Sequence, residues 1–140
     1  MKTFVIIFWG VILFVFACAS NSGFWVIGAS PSFHWKASPD FNVMTKLDLI
    51  YNSGYIIRKI GHFLGFSILA FLIYSQNKSI MKSIIFSILY ALLTEILQLY
   101  FGRDGRIYDV IIDSAGALFG MIVMRMIYKI KDPRKLSNVN

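Results

Sequence analysis

Apolar residues run almost unbroken through four stretches of the chain: about Thr3 to Ala19, Tyr55 to Tyr74, Ile80 to Phe101 and Ile107 to Tyr128. A helix needs about 20 residues, within a range of about 17–25, to cross the hydrocarbon core of a bilayer. All four stretches meet that length, the first only just. Four such lengths joined by little polar sequence argue against buried helices of a water-soluble domain. The pattern predicts an all-α fold: an integral membrane bundle of four transmembrane helices with a long first extracytoplasmic loop. Residues 1–20 form the first, signal-like transmembrane helix and 21–54 the loop. Residues 55–128 form a core of three transmembrane helices, and 129–140 a basic cytoplasmic tail.

The loop is aromatic (Phe24, Trp25, Phe33, Trp35, Phe41), with Gly and Pro scattered through its first half. Ser38-Pro39-Asp40 reads as a helix start, with a cap, a proline in the first turn and an early acid. From there Val43, Met44, Leu47, Ile50 and Tyr51 recur at helical spacing. They predict a short amphipathic helix that either lies on the outer membrane surface or plugs the top of the bundle.

The polar interruptions of the apolar stretches are more informative than the stretches themselves. His62, Glu95, Gln98, Arg106, Asp109 and Asp113 lie at or near the ends of the last three spans. Ionisable groups at membrane depth are costly and face a bundle interior or a wet cavity. Lys59, His62, Phe63 and Phe66 share one helix face, as do Ala91, Glu95 and Gln98, at steps of three and four. Arg106, Asp109, Asp113, Gly116, Ala117 and Gly120 form one stripe whose small members allow close helix approach. At 1.5 Å per residue, His62, Glu95 and Asp113 each lie on the order of 10 Å from the same membrane face when the spans alternate in direction. Phe101-Gly102-Arg103-Asp104-Gly105-Arg106 is then the turn that closes over them, its arginines folding back onto carboxylates.

Composition agrees with a membrane solvent. Of the 140 residues, 57% are hydrophobic and 15% charged, against about 25% charged in soluble domains. The net charge is +7, but its placement matters more. Lys2, Lys78, Lys82 and the tail bases Arg125, Lys129, Lys131, Arg134 and Lys135 fall on one side, with Asp132 as the acid there. On the other side Lys36, Lys46, Arg58, Lys59, Arg103 and Arg106 are matched by Asp40, Asp48, Glu95, Asp104, Asp109 and Asp113. The Lys/Arg bias places both termini in the cytoplasm and the polar cluster toward the outer face of the membrane, in a multi-pass protein. The basic tail reads as an anchor on anionic lipid, and no basic groove with interleaved aromatics suggests nucleic acid. The single cysteine, Cys18, excludes an intramolecular disulfide and a Cys-based zinc site. It follows Val15-Phe16-Ala17, an imperfect lipoprotein-like site, and cleavage after Ala17 or Ala19 is an alternative to an uncleaved first span, which the apolar run to Ala19 favours.

Several chemistries fit the cluster. It can be a structural network in which Arg103, Arg106 and Lys59 neutralise Glu95, Asp109 and Asp113 around His62. An imidazole and a carboxyl taken out of water can instead exchange a proton as an acid–base pair. One imidazole and three carboxylates also suit a divalent cation such as Mg²⁺, Mn²⁺ or Zn²⁺, although no HExxH-type spacing is present. Arg103 and Arg106 can clamp a phosphate or carboxylate. No Ser-centred nucleophile motif exists; Ser67 and Ser114 read as packing hydroxyls, and His34 as a solvated loop residue.

From Gly54 to Arg125 the chain resembles the VanZ-like family of small bacterial membrane proteins. The matching pieces are Lys59-Ile60-Gly61-His62-Phe63-Leu64-Gly65-Phe66, Glu95-Ile96-Leu97-Gln98, the turn Gly102–Arg106, and the stretch Asp109–Gly120. The family pattern is Lys-x-x-His-Phe, Glu-x-x-Gln, an Arg-bearing turn, then Asp followed by Asn or Asp and Gly at helical steps. Asp113 stands where many members carry Asn, and the first loop is long. The resemblance implies a cell-envelope role, since the founding member is associated with low-level resistance to teicoplanin. The expectation is a protein that lowers susceptibility to such lipoglycopeptides by modifying or binding an outer-leaflet lipid or glycan. Its partners would be the lipid bilayer and an anionic envelope lipid or lipid-linked precursor; no protein partner is indicated. His62 and Glu95 are then the proton-handling pair, with Asp109 and Asp113 orienting them or binding a cation. Lys59, Gln98, Arg103 and Arg106 would hold an anionic head group. The rival is a non-enzymatic ligand-binding or assembly module whose polar cluster is a structural ion-pair network. A transporter is disfavoured because the carboxylates gather toward one face.

Overall fold

A computed structural model describes residues 2–21, 23–24, 28–46 and 53–131. It contains helices α1 (Lys2–Cys18), α2 (Ser53–Asn77), α3 (Ile80–Tyr100) and α4 (Ile107–Lys131), with a 3₁₀ turn at Phe41–Thr45 and no strand among the described residues. Gly54–Asn77, Ile80–Tyr100 and Ile107–Lys129 are long and apolar enough to cross a membrane; α1 is apolar from Phe4 onward but has 17 residues. Large apolar side chains such as Ile60, Leu64, Phe86, Leu93, Ile111 and Met126 point outward. So broad an apolar surface suits lipid rather than water.

The closest helix pair is α2 against α4, and glycine makes it possible. A Cβ on Gly116 would collide with the Phe63 carbonyl oxygen, and one on Gly120 with that of Ser67. Below this crossing Ala70, Ala117, Met121 and Met124 form one apolar core. Phe66, Leu69 and Ala91 form a second, which brings in α3. The α1 helix leans on the other side of α2, held by the Trp9 indole N–H donating to the Gly65 carbonyl at 2.9 Å. The Tyr90 hydroxyl donates to the Gly10 carbonyl at 2.6 Å, tying α1 to α3.

Helix ends obey local rules. Ser79 caps α3, its hydroxyl accepting from the Lys82 amide. At the other end Gly102, φ +69°, takes the left-handed conformation that ends a helix at low steric cost. The Arg103 amide then donates back to the Gln98 carbonyl at 2.8 Å. The loop differs from expectation. Asp40, not Ser38, is the cap, its carboxylate accepting from the Asn42 amide, and it opens only the short 3₁₀ turn. Leu47, Ile50 and Tyr51 of the expected amphipathic helix lie outside the described residues, as does the tail from 132 to 140. The described part of the loop packs on the ends of α1 and α3: Trp35 stacks on Tyr100, and Phe33 meets Phe14 and Phe101. Ala17, Cys18 and Ala19 are buried.

Replacing Gly116 by Leu forces this crossing apart. It should lower the thermal midpoint of the detergent-purified protein by the equivalent of about 1–3 kcal/mol, the usual cost of overpacking. Gly61→Ala, whose Cβ meets nothing within 4 Å, should leave the midpoint unchanged or raised.

Candidate functional site

The α2–α4 crossing runs parallel and fixes which polar residues face each other. Lys59 pairs with Asp109, and one turn deeper His62 faces Asp113. The His62 Nδ1 lies 3.3 Å from Oδ1 of Asp113 and 3.4 Å from Oδ2. Both distances exceed the ~2.7–3.2 Å of ordinary N–H···O hydrogen bonds. Asp113 is fully buried and its Oδ1 has no hydrogen-bond partner.

Glu95 enters from the last turns of α3 and is also fully buried. Its Oε1 accepts from the Gln98 side-chain amide at 2.6 Å, and its Oε2 from the Arg106 backbone N–H at 2.8 Å. Gly105 permits the second bond, because a Cβ there would strike the Glu95 carbonyl. The turn from Phe101 to Arg106 is therefore pressed onto α3, delivering a main-chain donor to a carboxylate sealed from water.

The two arginines of that turn behave differently. The Arg106 side chain donates to the Tyr108 hydroxyl at 3.1 Å and meets Asp104 at 3.3 Å. Burial, which opposes its charge, is outweighed by Tyr108 and Asp104, so its pKa lies above the ordinary value. Arg103 does not fold onto a carboxylate as expected. Its guanidinium donates to the Ala19 carbonyl at 2.7 Å. The physical reason lies in α1, whose final carbonyls have no helical partner and accept a cationic donor. Burial draws the Arg103 pKa below the ordinary value, and the charge of Arg58 lowers it further.

Around Lys59 the structure adds two residues that the pattern of charges did not single out. Its ammonium sits 4.8 Å from the Tyr55 ring centroid and 4.7 Å from that of Tyr108, and the two hydroxyls are 3.1 Å apart. The signal was available: Tyr55 is one turn before Lys59, and Tyr108 adjoins Asp109. Ser114 is a packing hydroxyl, bonded to the Val110 carbonyl at 2.6 Å. The His34 ring lies 3.1 Å from the Ser20 hydroxyl, outside the cluster.

One ligand atom each from His62, Glu95 and Asp113 lie within 4.8 Å of one another. Points within 4.8 Å of one another share a centre at most about 2.8 Å from each, close to the ~2.0–2.6 Å of metal–nitrogen and metal–oxygen bonds. A small rotamer adjustment would let one imidazole and two carboxylates hold a divalent cation. Asp109, paired with Lys59, stands outside that trio.

Fold and site together define a helical membrane protein with a largely buried imidazole–carboxylate cluster near one end of its bundle. The VanZ/LLP1 family model matches residues 3–128, and the chain belongs to that family. It is 33% identical over 121 residues to an uncharacterized membrane protein, YwnJ, of Bacillus subtilis (strain 168), covering 83% of this chain and 86% of that one. No solved structure matches significantly.

The Lys59–Asp109 pair is partly buried, so it should be energetically coupled. A double-mutant cycle with Lys59→Met and Asp109→Asn, read by thermal unfolding in detergent, should return a coupling of about 0.5–3 kcal/mol. Strict additivity would show that the pair contributes nothing.

Proposed function

We propose that this protein is a VanZ-type component of the bacterial cell envelope that lowers susceptibility to teicoplanin-type lipoglycopeptides by modifying or binding an outer-leaflet lipid or glycan. It sits in the cytoplasmic membrane with both termini inside, so the cluster lies under the outer surface. The observation that carries this reading is the convergence of His62, Glu95 and Asp113, three ionisable groups from three helices, on one buried point. A structural network needs its buried charges hydrogen-bonded at short range, yet Oδ1 of Asp113 accepts no hydrogen bond and both Asp113 contacts to His62 are long. Glu95, by contrast, is held rigidly by Gln98 and the Arg106 amide. A fixed carboxylate beside a loosely held imidazole suits proton exchange with a bound ligand. Asp113 orients His62, and Lys59, Gln98, Arg103 and Arg106 form the polar rim toward a head group.

Substitution tests this. Glu95→Gln keeps size and hydrogen-bonding capacity but removes the charge and the exchangeable proton. It should accumulate in the membrane at normal levels while teicoplanin susceptibility returns to that of a strain lacking the protein. Unchanged resistance in both Glu95→Gln and His62→Ala, at normal abundance, would overturn the acid–base role. Disappearance of both variants from the membrane would favour the structural network.

A second reading is favoured by the 4.8 Å trio itself: the cluster binds a divalent cation. Protein purified without chelator should then carry about one metal ion per chain by elemental analysis. The ion should be lost in Asp113→Asn and kept in Asp109→Asn. A metal-free parent that stays so after dialysis against Mg²⁺, Mn²⁺ and Zn²⁺ rules the cation out.

A further inference from the structure

A groove of about 360 Å³ separates α1 from α2 on the lipid-facing side of the bundle. Trp9, Leu13 and Phe16 form its α1 wall, and Leu64, Gly65 and Ile68 its α2 wall. Two polar residues also line it, Arg58 and His62, one turn apart on the same face of α2. Since α1 and α2 are antiparallel here, Phe16 and Arg58 mark the end nearest the loop. Trp9 and Gly65, joined by their hydrogen bond, lie deeper. From Arg58 to Ile68 the groove runs along α2 for about 15 Å.

Charge distinguishes this groove from the larger one at the opposite end of α1, of about 570 Å³, whose lining includes no charged residue. Arg58 is exposed, and among the described residues its guanidinium makes no hydrogen bond or ion pair. The charge of Arg103 lies close enough for the two to repel, and an anion beside them would relieve that repulsion. His62 links the groove to the cluster. Its side chain is 23% exposed, whereas that of Asp113 is wholly buried.

We propose that this groove is the lateral entry and binding site for a membrane lipid with a phosphate head group. One acyl chain lies between α1 and α2, the phosphate rests on Arg58, and the head group is thereby brought over His62. The inference rests on the reading above that the cluster acts on an outer-leaflet lipid, and it adds where the lipid binds and what chemistry selects it. Three features argue for this occupant. The walls are apolar and open within a membrane span, so acyl chains are the solvent they meet. The end of the groove is cationic, which selects an anionic head group over a zwitterionic one. The imidazole exposed in the groove belongs to the cluster whose carboxylates are buried, so a bound lipid touches the chemistry without a water-filled channel.

Gly61 offers a clean test. It lines the groove, and a Cβ there meets nothing within 4 Å. Gly61→Leu should therefore fill the groove without disturbing the bundle. The full chain, carrying Trp35→Phe, is reconstituted in phosphatidylcholine vesicles containing increasing phosphatidylglycerol with brominated acyl chains. The quenching that disappears with Trp9→Phe reports lipid in the groove. The expected result is a several-fold preference for phosphatidylglycerol over brominated phosphatidylcholine. That preference should fall to none in Arg58→Gln, while Gly61→Leu lowers quenching of Trp9 by either lipid. Glu95→Gln should keep the parent preference, so loss of resistance in that variant and loss of lipid selection fail separately. Equal quenching by the two lipids in the parent, or an undiminished preference in Arg58→Gln, overturns the proposal. Should Gly61→Leu not accumulate, the Arg58→Gln comparison decides alone.

Discussion

The close parallel approach of α4 to α2 governs this molecule. Two glycines one turn apart, Gly116 and Gly120, let the α4 backbone rest on the carbonyls of Phe63 and Ser67. In lipid no hydrophobic force pushes helices together, so packing and polar contacts must do it. The crossing supplies the packing and sets the register. With Gly116 seated on Phe63, Asp113 has to fall beside His62 and Asp109 beside Lys59. Charges that would be prohibitively costly facing lipid are therefore placed against partners by a contact that contains no charge at all.

The third helix completes the cluster by a different device. The Glu95 carboxylate is satisfied by Gln98 one turn away and by a backbone amide of the adjoining turn. Main-chain donors are fixed by the turn they belong to and add no net charge. Replacing an arginine side chain by a peptide N–H at this point leaves Glu95 hydrogen-bonded but without a direct guanidinium partner. That arrangement holds the carboxylate fixed beside His62 and Asp113.

Much of this was legible in the chain because membrane helices obey few rules and obey them strictly. The four apolar stretches became four helices, with α2 starting two residues earlier and ending three later than the hydropathy suggested. Asn77 to Ser79 form the turn, and Lys78, at φ +57°, takes the sharp bend there. The steps of three and four correctly grouped His62 with Lys59 and Glu95 with Gln98, since helical spacing is a geometric constant. What could not be read were contacts made through the main chain and across helices that share no pattern. Arg103 capping the end of α1, Trp9 bonded to Gly65, and the Arg106 amide on Glu95 all depend on how α1 and the turn fold over the bundle. The tyrosines around Lys59 carry only a weak signal, their position one turn before Lys59 and beside Asp109, because Tyr is common at a span entrance.

The one-sidedness of the polar groups bears on mechanism. Beyond the cluster, along α2 and α4, the buried side chains are Phe66, Leu69, Ala70, Ala117, Met121 and Met124. The buried hydroxyls of Ser83 and Ser87 on α3 are small and uncharged, and Ser83 is engaged by the carbonyl of Ser79. A solute moving through the bundle would need polar partners at successive depths, because each unsatisfied group in a membrane interior costs several kcal/mol. Among the described residues the buried charged groups, Glu95, Arg106, Asp109 and Asp113, stop near one level. A device built for passage spreads its polar groups along the path; one built to act on something held at a single depth gathers them. Here they are gathered beside the gap between α1 and α2, the groove proposed above to admit a lipid from the leaflet.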